Sequence, residues 1–113
     1  MAKVKYIPSR GDIVWIDFDP VRGHEQRGRR SAIVISPEKY NLLSSRVLIC
    51  PITSKVKEHV FEVAFTGSHI KGSILADQVR TMDFNKRNVV FVEKAKITVT
   101  DEVEAKLLTL IQG

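Results

Sequence analysis

Apolar residues in this chain come in short runs rich in β-branched and aromatic side chains, each closed by turn-forming residues. That pattern restricts the fold more than any other feature. IVWIDF at 13–18 follows the turn pair Gly11-Asp12, and AIVI at 32–35 is a short continuous run of the buried-strand type. VLICPI at 47–52 is similar, but Pro51 cannot donate to a ladder and belongs at an edge, a bulge or a strand end. VFEVAFT at 60–66 sets Phe61, Val63 and Phe65 on one face and Glu62 on the other. SILADQV at 73–79 and VVFVEKAKI at 89–97 bring the expected strands to about six. Two helices are expected. Ser36 as N-cap and Pro37 at the first helical position open a short one through Tyr40 and Leu43. Thr100 caps a terminal one, with Asp101 and Glu102 favoured by the helix dipole and Gly113 to end it. Its apolar face comprises Val103, Leu107, Leu110 and Ile111. Together these elements predict a mainly β fold: a compact barrel with a C-terminal helix packed on it.

Length and composition fit one domain over residues 1–113, with no repeat, low-complexity segment or Pro/Gly/Ser linker. No apolar run approaches the roughly 18 residues of a membrane span. The N-terminal MAKVKYIPSR lacks the apolar stretch of a signal peptide. Cys50 is the only cysteine, which excludes an intrachain disulfide and a thiolate metal cluster. A reducing cytoplasm is the expected location.

The net charge is +5, and it is unevenly placed. Arg22, Arg27, Arg29 and Arg30 face only Glu25 within residues 21–30, a local charge of +3, whereas residues 99–113 carry −2. The polar run DPVRGHEQRGRRS at 19–31 reads as a loop of about a dozen residues between two strongly apolar strands, and loops of that length are often functional. Gly23 and Gly28 give it hinge freedom. A basic flap on a small domain suits a polyanion: nucleic acid, an acidic protein tail or an anionic membrane. The alternative is a solvated arginine-rich loop.

Nucleotide-binding fingerprints, zinc-ligand spacings and the serine-hydrolase elbow are missing, and His24, His59 and His69 are scattered. One reaction needs none of these. In transesterification of RNA by its own 2′-hydroxyl, the protein takes one proton, gives another and stabilises a charged phosphorane. His24, Glu25 and Arg30 lie within seven residues, and Thr53 and Asp77 add polar groups at strand ends. Trp15, with apolar neighbours, reads as core or dimer packing, and Cys50 as a small buried hydrophobe. His59 and His69 have no partner in the sequence and receive no role.

The run GDIVWIDFDPVRGHEQRGRRSAIVISP at 11–37 resembles the opening of the MazF/PemK (Kid) family of toxin endoribonucleases. PITS at 51–54 resembles the family's second block and LADQVRTMDF at 75–84 its third, in order and with matching spacing. The resemblance implies an SH3-like β-barrel with a C-terminal helix, usually a homodimer. It also implies sequence-specific cleavage of single-stranded RNA without metal or cofactor, leaving a 2′,3′-cyclic phosphate and a 5′-hydroxyl. A cognate antitoxin with an acidic, partly disordered segment would occupy the RNA groove. MazF-like members pair the arginine before the second strand with the threonine of the second block, here Arg30 and Thr53. Kid-like members use a loop histidine, the DQ aspartate and an arginine two residues earlier. His24 and Asp77 are present, but Leu75 stands at that arginine's position. Arg30 and Thr53 are therefore the expected catalytic pair, with His24 and Glu25 as candidate bases. Arg22, Gln26, Arg27, Arg29, Asp77, Gln78 and Arg80 are expected to contact RNA, Asp77 and Gln78 through base edges. Ser31 replaces the family's usual proline after the arginine, which removes a restraint to extended backbone at Arg30. Two alternatives stay open: a binding module of the same fold that does not cut, and a gyrase poison of the CcdB type.

Overall fold

The structure, a computed structural model, describes residues 5–18 and 28–113. It is mainly antiparallel β. The strands are β1 (Asp12–Asp17), β2 (Arg29–Val34), β3 (Arg46–Thr53), β4 (Glu62–Thr66), β5 (Lys71–Leu75), β6 (Arg80–Asp83) and β7 (Val90–Lys94). Helix α1 (Glu38–Ser44) links β2 to β3, and α2 (Ile97–Gln112) closes the chain. The order across the sheet is β4-β5-β3-β2-β1-β7, with β6 also pairing to β3. The result is a half-barrel with a C-terminal helix, as the sequence predicts.

β3 organises the architecture. One edge pairs with β2 through Ala32↔Pro51, Ile33↔Cys50 and Val34↔Ile49. The other edge is divided: residues 46–49 pair with β6, and Ile52 and Thr53 pair with β5. Pro51 falls in the gap where β3 exchanges one neighbour for the other, so its missing N–H costs no bond on that side. Both faces of the central sheet are buried, which explains the continuous apolar runs. Ile13, Ile33, Cys50 and Ile52 pack under β4, β5 and α2 with Val63, Phe65, Ile74 and Val103. On the opposite face Val14, Ile16, Phe18, Ala32, Val34, Val47 and Ile49 meet Met82 and Phe84.

Several local expectations change. The run 73–79 is not one strand: β5 ends at Leu75, a 3-10 turn takes Ala76–Gln78, and Arg80–Asp83 forms a seventh strand. Its Ala-Asp-Gln centre lacks the β-branched residues that hold an extended chain. The run 89–97 also overreaches, since β7 stops at Lys94 and Ile97 already begins α2. Lys96, not Thr100, occupies the α2 N-cap position, and Thr100 is buried inside the first turn. Val103 is fully buried, but Leu110 and Ile111 are exposed, so only the first half of the predicted apolar face packs. Ser36 does not cap α1 either. Its hydroxyl donates to Asn41 Oδ1 at 2.5 Å and accepts from the Leu48 amide at 2.9 Å. Buried Asn41 in turn donates to the carbonyls of Pro8 and Ser36, so the expected cap is instead a polar tie between α1, β3 and the N-terminal segment.

Candidate active site

Of the run 19–31 expected as a basic loop, Arg29, Arg30 and Ser31 belong to β2. Gly28 takes a positive φ of 83° to turn into that strand, and its carbonyl accepts from the Phe18 amide at 2.7 Å. β1 pairs with β2 up to Ile16↔Arg30 and Asp17↔Arg29. Strand pairing thus supplies the extended backbone at Arg30 that a following proline would impose, and Ser31 sits buried opposite Trp15.

The two adjacent arginines have different surroundings. Arg29 is tied down: its Nη1 donates to Asp17 Oδ1 and to the Asn88 carbonyl, both at 3.0 Å. Burial opposes ionisation of Asp17 but is outweighed by hydrogen bonds from Asn88 and Arg29 and the charges of Arg29 and Arg87, which hold its carboxyl below the usual range. Arg30 is exposed and lies 5.8 Å over the Phe18 ring, which also carries the Arg80 guanidinium at 5.1 Å. Strand alternation places Phe18, Arg30 and Arg80 on one face.

Thr53 ends β3. Carrying the β2–β3 register two residues past Ala32↔Pro51 sets Arg30 across from Thr53, and both line one cleft of about 570 Å³. The Thr53 hydroxyl accepts from the Lys55 amide at 3.1 Å, which leaves its own proton to donate. Arg29, Lys55 and Lys71 also line this cleft, and no carboxylate does so among the described residues. A second cleft of about 810 Å³ opens on the other side of Thr53, where Asp77 and Gln78 line it from the 3-10 turn after β5. Leu75 lines that second cleft as well. The structure therefore brings Arg30 and Thr53 together, puts Asp77 and Gln78 beside Thr53, and seats Arg80 near Arg30. Arg22, His24, Glu25, Gln26 and Arg27 lie outside the described residues.

Trp15 does not pack in the core: it is 37% exposed and lines the Arg30/Thr53 cleft, an exposure that packing between two copies of the chain would also permit. His69, Lys55 and Lys71 share the cleft and were equally illegible, because the strand pairing that gathers them is non-local. Cys50 is fully buried as expected. Burial first, then the charge of Asp77, pushes its thiol up to about 12, so it stays protonated. Among the described residues no three of His, Cys, Asp and Glu gather into a metal-ligand set, and no helix is long and apolar enough to cross a membrane.

Comparison with known proteins identifies the family and the fold. Residues 9–111 match the family model described as PemK-like, MazF-like toxin of type II toxin-antitoxin system. The endoribonuclease toxin MazF of Escherichia coli K12 is 39% identical over 111 residues, covering 95% of this chain and 96% of its own length. The crystal structure of MazF from Deinococcus radiodurans superposes with a TM-score of 0.86 at 38% identity, covering 96% of this chain and all of that one. A MazE-MazF structure from the same organism gives 0.82 at 35% identity, with 95% and 97% covered. The chain belongs to the PemK-like, MazF-like toxins of type II toxin–antitoxin systems, the family of these endoribonucleases.

Proposed function

We propose that the chain cuts single-stranded RNA in the cleft between Arg30 and Thr53 by transesterification that requires no metal ion. The ribose 2′-oxygen attacks the adjacent phosphorus and loses its proton to a base, for which His24 and Glu25 are the candidates. The bond from phosphorus to the 5′-oxygen breaks, and that oxygen takes up a proton. The products are a 2′,3′-cyclic phosphate and a 5′-hydroxyl. Arg30 stabilises the phosphorane charge or delivers the second proton, and the Thr53 hydroxyl donates to a phosphoryl oxygen. Asp77 and Gln78 read base edges in the second cleft. Arg22, Gln26, Arg27, Arg29 and Arg80 contribute to the RNA-binding surface.

The observation that carries this reading is the meeting of Arg30 and Thr53 in a cleft lined by cations and, among the described residues, by no carboxylate. Phosphate is the ligand such a surface favours. An acidic antitoxin segment would meet the same cations, and the MazE-MazF structures among the similar proteins support that partner. We read the chain as one toxin unit that works as a cytoplasmic homodimer.

Purified protein incubated with a long single-stranded transcript in EDTA should yield defined fragments with 5′-hydroxyl and cyclic-phosphate ends. Transcripts that survive until magnesium is added, or products ending in 3′-hydroxyls, would overturn the chemistry. RNA that is shifted but uncut would leave only a binding module.

A further inference from the structure

We infer that the turn between β4 and β5 is a second RNA-binding wall of the cleft, in which His69 contacts the strand and Glu93 is the positioning residue. The inference rests on the functional reading above. Glu93, on β7, accepts from three successive backbone amides of this turn: Ser68 at 2.7 Å, His69 at 2.9 Å and Ile70 at 3.0 Å. One carboxylate therefore fixes the whole turn, although β7 and the β4–β5 hairpin lie at opposite ends of the sheet order. Burial opposes the Glu93 charge, but the three amide bonds dominate and hold its carboxyl below the ordinary range.

Two glycines make the arrangement possible. A Cβ at Gly67 would collide with the Glu93 carboxylate, and a Cβ at Gly72 would collide with the Thr53 carbonyl oxygen. The segment GSHIKG at 67–72 is thus held at one end by the clamp and at the other by the strand that carries Thr53. Between those fixed points stand exposed His69 and Lys71, both lining the cleft together with Trp15 and Arg30. An imidazole can stack on a base and donate to phosphate. Asp77 and Gln78 occupy the other side of Thr53, so His69 meets the nucleotide on the far side of the scissile phosphate.

The test measures cleavage and binding with the intact protein. The cleaved site is first mapped on a transcript, and a 2′-O-methyl copy of it then serves as the uncleavable probe. His69→Ala should weaken probe binding about tenfold and raise KM in parallel, with a much smaller fall in kcat. Glu93→Gln should show the same KM-weighted defect, and the double variant should be no worse than the more affected single one. Additive defects would separate the two residues and overturn the positioning role. His69→Ala that binds the probe as tightly as the parent would overturn the contact. So would a loss of affinity for a polyglutamate peptide with unaltered affinity for RNA, which would give this wall to an acidic protein partner. If Glu93→Gln lowers Tm enough to obscure binding, Gly67→Ala supplies an independent way to dislodge the clamp, and normal RNA affinity there would count against it. Failure of the parent to cut any transcript would instead refute the functional reading beneath.

Discussion

The clefts on either side of Thr53 differ in sign. On one side Arg29, Arg30, Lys55 and Lys71 line the wall without a carboxylate among the described residues; on the other, Lys55 and Lys57 are offset by Glu58, Glu62 and Asp77. A uniformly cationic wall attracts phosphate regardless of base, whereas a wall of mixed donors and acceptors suits the hydrogen-bonding edge of a base. The two also share a construction principle. Glu93 grips the amides of 68–70 beside the first cleft, and Glu62 accepts from the amides of Lys57 and Glu58 beside the second, both at 3.2 Å. In each case one carboxylate on a strand fixes a loop that carries potential contacts. On our reading the chemistry belongs to the cationic side and the sequence preference to the mixed side.

Breaking the cationic side should have the largest effect. Arg30→Ala should lower the cleavage rate by about 10²–10³-fold while the protein stays folded, the loss expected when one donor to a developing anion is removed. Single-turnover cleavage alongside a thermal melt checks both halves. Gly72→Ala forces β5 away from the Thr53 carbonyl oxygen. It should cost about 1–3 kcal/mol of stability and slow cleavage roughly tenfold, read by denaturant unfolding and by rate. Arg29→Ala tests the contrast between neighbouring arginines. It takes from the buried Asp17 carboxylate one of its partners, so it should destabilise by about 1–3 kcal/mol yet cost much less activity than Arg30→Ala.

On the mixed side, Asp77→Asn should redistribute cleavage among sites by a few-fold rather than stop it, which sequencing of 5′ ends would show. A large uniform loss of rate would instead put Asp77 in the chemistry. The smallest effect concerns pH. The Glu93 carboxyl in the folded protein titrates below its ordinary 4.5, so its contribution to stability is present above that value and lost as the pH falls through the folded value. The parent should therefore melt higher than Glu93→Gln at neutral pH, and the gap should close below about pH 4.5, as melts from pH 7 to pH 3 would reveal.

How much of this was legible in the sequence depended on whether the cause was local. The strands at 13–18, 32–35 and 47–52 announce themselves because burial on both faces demands continuous apolar runs. Pro51 in the middle of β3 becomes intelligible only when β3 is seen to change partners there. Thr100 and Ser36 look like caps, yet tertiary burial recruits one into a helix turn and the other into a network around Asn41. In the site, Arg30 and Thr53 stand out through the motif blocks that carry them. His69 and Trp15 do not, because only the pairing of distant strands gathers them into one cleft. The motif block separates Arg30 from Arg29 by position alone, and the fold adds the physical difference by giving Arg29 the Asp17 carboxylate.

Trp15 is the only tryptophan in the chain and lines the cleft, so its emission reports directly on whether RNA enters there. Titration with an uncleavable 2′-O-methyl single strand should change that emission saturably. The apparent affinity should fall as salt rises, and the response should be strongly weakened in Arg30→Ala. If the same strand binds by an independent assay while the Trp15 signal stays flat, the substrate sits elsewhere, and the assignment of this cleft to RNA is wrong.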